Sequence, residues 1–119
     1  MGNLPSLFGV SLPRLVEQSA ALNQVRKGDL RSGDSVYVKT QNSMYVVRVL
    51  GNGSYGVSGG WFDRKGGSFA EVAINGCTWG GSVIKIDVVA ACGLCLEFSN
   101  RVRTSAIRKI VVIPHYIQN

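Results

Sequence analysis

The chain has 119 residues, of which 45% are hydrophobic and 17% are charged, a balance that excludes an intrinsically disordered protein and suits one domain with its own core. The formal net charge of +6 raises non-specific affinity for polyanions, but the Lys and Arg residues are dispersed along the sequence. The longest apolar stretch, residues 83–98, is interrupted by Lys85, Asp87 and Glu97, so we expect neither a transmembrane helix nor a membrane partner.

The N-terminal part of the chain predicts an extended arm and one helix. Residues 1–10 contain one proline and two glycines and are predicted to be extended. Ser11 can cap the first amides of a helix, apolar residues then recur at i, i+3, i+4 and i+7 spacing, and Gly28 suits the C-terminal end. We therefore predict one amphipathic helix over residues 13–27.

The remaining sequence predicts short strands separated by glycine-rich turns. Gly51-Asn52-Gly53 offers the positive-φ positions of a tight hairpin, so residues 44–50 should pair antiparallel with residues 54–58. Asn75-Gly76 is predicted to be another turn. The predicted strands are residues 35–40, 44–50, 54–58, 70–74, 82–86, 94–98 and 106–113.

Six or seven short strands after a single helix leave no second helix to cross between parallel strands. The predicted fold is therefore all-β, a small SH3-like or Sm-like barrel with one N-terminal α-helix. The barrel domain should span residues 11–113, with residues 114–119 as a tail.

The cysteines do not form a complete chemical site in the sequence. Cys92-Gly93-Leu94-Cys95 is a CxxC motif, but it lies in a strand-like apolar run without the βαβ context of redox motifs. Cys77 and His115 would complete a zinc site only from distant segments, whereas structural zinc usually takes two tight ligand pairs. We expect no metal and no cofactor. The odd cysteine count and the lack of a secretory leader favour a cytosolic protein.

The sequence shows no catalytic pattern, and a non-enzymatic protein is predicted. The dispersed carboxylates are Asp63, Glu71, Asp87 and Glu97. Asp87 and Glu97 could meet across a strand pair, so an enzyme with an unrecognised carboxylate site stays as an alternative. Gly59-Gly60 and Gly80-Gly81-Ser82 lack the lysine and the following helix of a phosphate loop, and they are predicted to be bulges or corners.

Residues 40–110 carry a set of short motifs. These are Thr40-x-Asn42-Ser43-x-Tyr45, Gly59-Gly60-x-Phe62, Gly76-x-Thr78-x-Gly80-Gly81-Ser82-x-Ile84, Gly93-x-x-Leu96-Glu97-Phe98 and Thr104-Ser105-x-Ile107. In these motifs the chain resembles an uncharacterised family of small bacterial β-domain proteins. This resemblance implies no functional residues. The layout is also similar to that of Sm-like and SH3-like barrels, which implies ring-forming oligomers and RNA binding as expectations.

The leading function hypothesis is a binding or assembly module that forms a homo-oligomer through strand edges, because unpaired edges are satisfied by pairing with a neighbour. The candidate edge is the C-terminal strand, with Ile107, Ile110, Val111, Val112 and Ile113. A small-molecule ligand is not specified by any motif.

The alternative hypothesis is a small barrel that binds single-stranded RNA or DNA, in which aromatic rings stack on bases and cations meet phosphates. The candidate contact residues are Tyr37, Lys39, Tyr45, Arg48, Arg101 and Arg103.

Overall fold

The fold is all-β and consists of short antiparallel strands. The computed structural model describes residues 6–7, 10–11, 22–63, 69–79 and 83–117. Within these residues the elements are, in chain order, β1 Ser6–Leu7, β2 Val10–Ser11, β3 Gln24–Arg26, a 3-10 turn Lys27–Asp29, β4 Ser35–Thr40, β5 Met44–Gly51, β6 Ser54–Gly59, the one-turn helix α1 Gly60–Asp63, β7 Ala70–Val72, β8 Ile74–Thr78, β9 Ile84–Lys85, β10 Val88–Ala91, β11 Cys95–Phe98, β12 Ile107–Ile113 and a 3-10 turn His115–Ile117.

The described strands form separate sheets rather than a closed barrel. The largest sheet has five strands in the order β12-β4-β5-β6-β7, and a second sheet has three in the order β11-β8-β9. The strands β3 and β10 form one two-stranded pair, and β1 and β2 form another. The end strands of the large sheet, β12 and β7, do not pair with each other. The part of the chain that the structure describes therefore does not form the predicted SH3-like or Sm-like barrel.

The predicted hairpin between β5 and β6 is confirmed. Gly51, Asn52 and Gly53 turn the chain with φ angles of 102°, 54° and 76°. Glycine adopts such left-handed conformations without steric cost, and asparagine tolerates them better than most residues. The predicted strands at residues 35–40, 44–50, 54–58 and 106–113 all occur, with ends that differ by one residue at most.

One face of the large sheet packs onto the core. Val36, Val38 and Val47 are fully buried, because alternate residues of a strand point to the same side. Val89 of β10 and Leu96 of β11 belong to the same buried cluster, so the smaller sheets cover this face. Each such side chain contributes roughly 1.5–3 kcal/mol of burial free energy.

Aromatic rings fill the core beside α1. The Gly59-Gly60 pair forms a corner between β6 and α1, as the sequence predicts, and this corner places Phe62 in the interior. Its ring meets Phe98 edge-on with centroids 5.0 Å apart, and Tyr45 lies 6.0 Å from Phe98. The other predicted glycine corner, residues 80–82, lies outside the described residues.

The predicted N-terminal helix is wrong where the structure describes it. Leu22 makes a β-bridge to Ile110, and Gln24–Arg26 is strand β3. In β3 only Val25 is buried, and it pairs with Ala90 of β10. This pairing over a long sequence distance outweighs the helical spacing of the apolar residues. Residues 13–21 of the predicted helix lie outside the described residues.

The predicted turn at Asn75-Gly76 is also wrong, because both residues lie inside β8. Gly76 has a φ of 143°, and a Cβ there would collide with the Lys85 carbonyl of the neighbouring strand. The glycine is needed for close approach of β9 rather than for chain reversal. Asn75 donates its side-chain amide to the Glu97 carboxylate (2.8 Å) and ties β8 to β11.

The described residues of the predicted N-terminal arm and C-terminal tail make backbone contacts. The strands β1 and β2 pair with each other at the predicted N-terminal arm. In the predicted C-terminal tail, the His115 backbone N–H donates to the Asp34 carboxylate at 2.9 Å. Among the described residues, no helix has the length and apolar character needed to cross a membrane.

Candidate binding surfaces

Three of the six predicted nucleic-acid contact residues share one face of the large sheet. Tyr37 and Lys39 of β4 point away from the core, and Arg48 of β5 does the same. Lys109 of β12 pairs with Lys39 and joins this face, which we call the basic face: Tyr37, Lys39, Arg48 and Lys109. Sequence reasoning missed Lys109, because its position depends on the register between β12 and β4.

The basic face includes a half-buried phenol beside a cation. Burial raises the pKa of Tyr37, and the positive charge of Arg48 offsets part of that rise. Tyr37 is therefore a neutral hydrogen-bonding group at neutral pH, and its ring is only partly accessible for stacking. Lys39 and Arg48 are exposed and can reach an anionic ligand.

The other three predicted contact residues lie elsewhere. Tyr45 is buried in the core between Phe62 and Phe98, so it cannot stack on a base. Arg101 and Arg103 follow β11 in the second sheet, and both are exposed. The structure thus divides the predicted set between the basic face, the core and a separate turn.

The turn after β11 holds an ion pair. Arg103 Nη2 lies 2.9 Å from Glu97 Oε1, and the Asn75 amide donates to the same carboxylate. The hydrogen bond from Asn75 and that from Arg103 lower the pKa of Glu97. Because Glu97 neutralises part of the charge of Arg103, this turn is a weaker site for phosphate than the basic face.

The C-terminal strand β12 is partly covered along the edge that faces away from β4. The Ile110 carbonyl accepts the Leu22 N–H at 2.9 Å, and the Ile107 carbonyl accepts the Gly93 N–H at 2.8 Å. The side chains of the predicted oligomer edge are buried at Ile107, Ile110, Val111 and Ile113 and half-buried at Val112. Self-association through this strand stays a prediction.

The outer edge of β7 has no partner strand among the described residues. The Val49 backbone N–H donates to the Asp34 carbonyl, so the backbone N–H and C=O of Val49 point towards β4. Because these backbone groups alternate in direction along a strand, those of Arg48 point towards β6, where Arg48 pairs with Gly56. The backbone N–H and C=O of Gly56 are thus directed at β5 and not at β7. Because Glu71 is the residue paired with Gly56, the N–H and C=O of Glu71 point away from β6. Within the described part of the chain, the outward side of Glu71 is thus available to a further strand.

Exposed apolar side chains lie next to two end strands. Phe69, 61% exposed, precedes β7, and its ring lies against Gly56 of β6. Around β9, the exposed fractions are 62% for Trp79, 61% for Val83 and 68% for Ile86. Sequence reasoning missed Phe69, because only the strand register reveals its position at the edge.

The three cysteines differ in environment. Cys77 is buried, and burial raises the pKa of its thiol to about 11. Cys92 lies in an exposed turn with its Sγ near the Leu22 and Arg108 carbonyls, whereas Cys95 lies in β11 opposite Thr78. All three thiols are free. The described residues contain no group of three or more His, Cys, Asp and Glu side chains arranged to hold a metal ion.

The carboxylates of the enzyme alternative are not paired with each other. Glu97 is opposite Gly76 in β8 and bound to Arg103, whereas Asp87 lies in the turn between β9 and β10. Glu71 accepts a hydrogen bond from the Ser54 hydroxyl on the surface. The fourth carboxylate, Asp63, has a side chain outside the described part of the structure.

No protein-family model matches the chain, and neither the curated proteins nor the solved structures contain a match. The resemblance to small bacterial β-domain proteins stays a prediction.

Proposed function

We propose that this protein is a non-enzymatic assembly module that forms a homo-oligomer by antiparallel pairing of β7 with β7 of a second copy. The observation that carries the proposal is the outward-facing backbone of Glu71 beside the exposed ring of Phe69. An open edge flanked by an apolar side chain is a template for strand addition. A cytosolic location is part of the proposal.

The two-fold arrangement also favours a particular register. Pairing Glu71 with Glu71 of the partner subunit would place like charges opposite each other, which is unfavourable. A shift by two residues sets Glu71 opposite Phe69 of the partner subunit. In that register the backbone groups of both residues can pair, and each Phe69 ring covers part of the partner's sheet face.

Glu71→Pro tests this edge directly. Proline removes the Glu71 N–H, which points outward, and leaves the bonds between β6 and β7 intact. We expect the wild-type protein to show a dimer mass or larger by size exclusion with light scattering. The Glu71→Pro variant should dissociate to the monomer at the same concentration.

Glu71→Ala is the matched control. It removes the carboxylate and its bond to Ser54, as proline does, but it keeps the N–H. The alanine variant should stay oligomeric. A monomeric wild-type protein, or a folded Glu71→Pro variant with the wild-type mass, would contradict the proposal. Far-UV circular dichroism establishes that each variant is folded.

A second candidate function is binding of single-stranded RNA or DNA at the basic face. The observation that favours it is the co-location of Lys39, Arg48 and Lys109 with Tyr37 on one sheet surface of a protein with net charge +6. Cations along such a face can follow a phosphate backbone.

The double substitution of Lys39 and Arg48 by alanine tests this candidate. Binding of a fluorescent single-stranded oligonucleotide should weaken, and the plot of log K against log salt should become shallower by about 1.4 if each cation contacts one phosphate. The double substitution of Arg101 and Arg103 changes the net charge equally and is the control. An equal loss of oligonucleotide affinity in both double variants would show a non-specific charge effect instead of a site. A wild-type protein that does not bind the oligonucleotide at low salt would exclude the function.

A further inference from the structure

The two tyrosines that the sequence predicts to stack on bases are not freely accessible. Tyr45 is buried in the core, and Tyr37 is half-buried on the basic face. Proteins that bind single strands without sequence preference combine cations with exposed aromatic rings, because every base has a π face. The strand register brings Phe69 to the side of the sheet that carries the basic face, and Phe69 is 61% exposed.

The contact between Phe69 and Gly56 fixes the position of the ring. A Cβ at Gly56 would lie 2.8 Å from Phe69 Cδ2 and 3.0 Å from Phe69 Cε2, so the ring occupies the place that a side chain of β6 would fill. Gly56 is paired with Arg48 of β5, and residues paired across antiparallel strands have their side chains on the same face. The Phe69 ring therefore lies beside Arg48 on the outward face of the large sheet.

The glycine at position 56 provides space for the ring. Its φ is not left-handed, so the backbone conformation does not require glycine there. An aromatic ring over a glycine shields the strand backbone, which explains the contact but leaves most of the Phe69 ring accessible. A single exposed ring does not by itself indicate a ligand. The charged groups beside the ring are what indicate one.

Opposite charges border the ring on its two sides. Arg48 is the neighbour on the β5 side, and Lys39 lies further along the same face. On the β7 side, Glu71 is paired with Gly56 and is exposed. A phosphate next to a base on the ring is attracted by Arg48 and repelled by Glu71. A bound strand should therefore extend from the ring over Arg48 towards Lys39.

This border favours single-stranded nucleic acid over an apolar partner. A lipid surface or a hydrophobic protein groove would remove Arg48 and Glu71 from water without pairing them, which is unfavourable. A nucleotide pairs its phosphate with Arg48 and places its base on the ring, while the Glu71 carboxylate stays in water. The net charge of +6 also attracts a polyanion to the protein.

We infer that Phe69 is the base-stacking residue of the basic face, with the phosphate of the stacked nucleotide on Arg48. The inference rests on the second candidate function, binding of single-stranded RNA or DNA, and extends it by assigning the residue that holds a base. Stacking on a phenyl ring tolerates every base, so the site should show little sequence preference. A duplex offers no free base to the ring and should bind more weakly.

The test compares wild-type protein and Phe69→Leu in binding a fluorescent oligodeoxythymidylate of about ten nucleotides. Phe69→Leu should weaken binding at least about five-fold, as expected for the loss of one stacked base. The slope of log K against log salt should stay unchanged, because no phosphate contact is lost. Phe69→Tyr keeps a ring and should restore most of the affinity. An abasic oligonucleotide of the same length should bind equally to the wild-type protein and to Phe69→Leu.

Trp79→Leu is the matched control, because Trp79 is 62% exposed and follows β8 of the second sheet. It should bind the oligonucleotide like the wild-type protein. Repeating the Phe69→Leu comparison in the Glu71→Pro and Glu71→Ala backgrounds separates base stacking from assembly. Both backgrounds lose the carboxylate, but only Glu71→Pro loses the outward N–H. The affinity lost with Phe69→Leu should be the same in both.

The outcomes distinguish this inference from the function on which it rests. A wild-type protein that does not bind the oligonucleotide at low salt overturns both. Wild-type binding that Phe69→Leu leaves unchanged, or that Phe69→Leu and Trp79→Leu weaken equally, overturns the inference alone. An equal loss on the abasic oligonucleotide also overturns it, because Phe69 would then act through the sheet and not through a base. A loss confined to the Glu71→Ala background would assign Phe69 to self-association instead.

Discussion

Replacing Phe98 with alanine is expected to lower the free energy of unfolding by about 3–5 kcal/mol. Phe98 is fully buried, and its ring packs against those of Phe62 and Tyr45, with centroid distances of 5.0 and 6.0 Å. The three rings come from α1, β5 and β11, so the removal of one ring opens a cavity where the two larger sheets meet. Urea unfolding should show a lower midpoint, whereas the slope of the unfolding free energy against urea concentration should be unchanged.

Phe69→Ala makes the same chemical change at a position that is 61% exposed, and it should alter the stability by about 0.5 kcal/mol at most. Measurement at two protein concentrations separates any effect of self-association, which depends on concentration. Phe98→Leu keeps most of the volume and should retain most of the stability, so it gives a value if Phe98→Ala does not fold. Similar losses for Phe98→Ala and Phe69→Ala would mean that the aromatic cluster does not hold the sheets together.

The sequence predicts the parts of this fold that depend on neighbouring residues. The β5–β6 hairpin is specified by the Gly51-Asn52-Gly53 turn and by the alternation of the flanking strands. Tyr37 and Lys39 share one face of their strand, because side chains in a strand alternate between the two faces with a period of two residues. These features require no knowledge of distant partners.

The features that the sequence does not predict depend on long-range pairing. The apolar residues around Val25 have helical spacing, but Val25 pairs with Ala90, which is 65 residues further along the chain. Gly76 resembles a turn glycine, but the approach of β9 is what excludes a side chain there. Tertiary contacts override local preference at both positions.

The candidate surfaces show the same limit. The sequence predicts Tyr45 to be a contact residue from its aromatic ring, whereas its pairing with Val38 places it on the core side of the sheet. The edge at Glu71, which has no partner strand in the described ranges, becomes visible only from the order of the strands. Sequence patterns give the residues on a strand face, but the strand order decides which faces and edges are free.

The second large effect is expected at Asp34, a buried carboxylate that holds the C-terminal segment. Its oxygens accept the Arg31 N–H at 2.8 Å and the His115 N–H at 2.9 Å, and His115 Nδ1 lies 3.1 Å away. Burial raises the pKa of Asp34, but the hydrogen bonds from Arg31 and His115 outweigh this effect and hold the pKa below its ordinary value. Asp34→Asn should cost about 1–3 kcal/mol at pH 7, because charge-assisted hydrogen bonds are lost.

The direction of the pH dependence follows from the lowered pKa. The unfolded chain has an aspartate pKa of about 3.9, so the ionised carboxylate stabilises the folded protein at all higher pH values. That stabilisation is lost as the pH falls through the folded pKa. The difference in stability between the wild-type protein and Asp34→Asn should therefore shrink in acid. Chemical unfolding at several pH values measures this difference.

Asp29→Asn is the matched control, since exposed Asp29 accepts one long hydrogen bond of 3.4 Å from the Arg26 N–H. It should change the stability by about 0.5 kcal/mol at most. His115→Ala removes the ring but keeps the backbone N–H, so it should cost less than Asp34→Asn. A stability difference for Asp34→Asn that stays constant in acid would show that the carboxylate is not responsible. The C-terminal segment would then be held by packing rather than by its hydrogen bonds to Asp34.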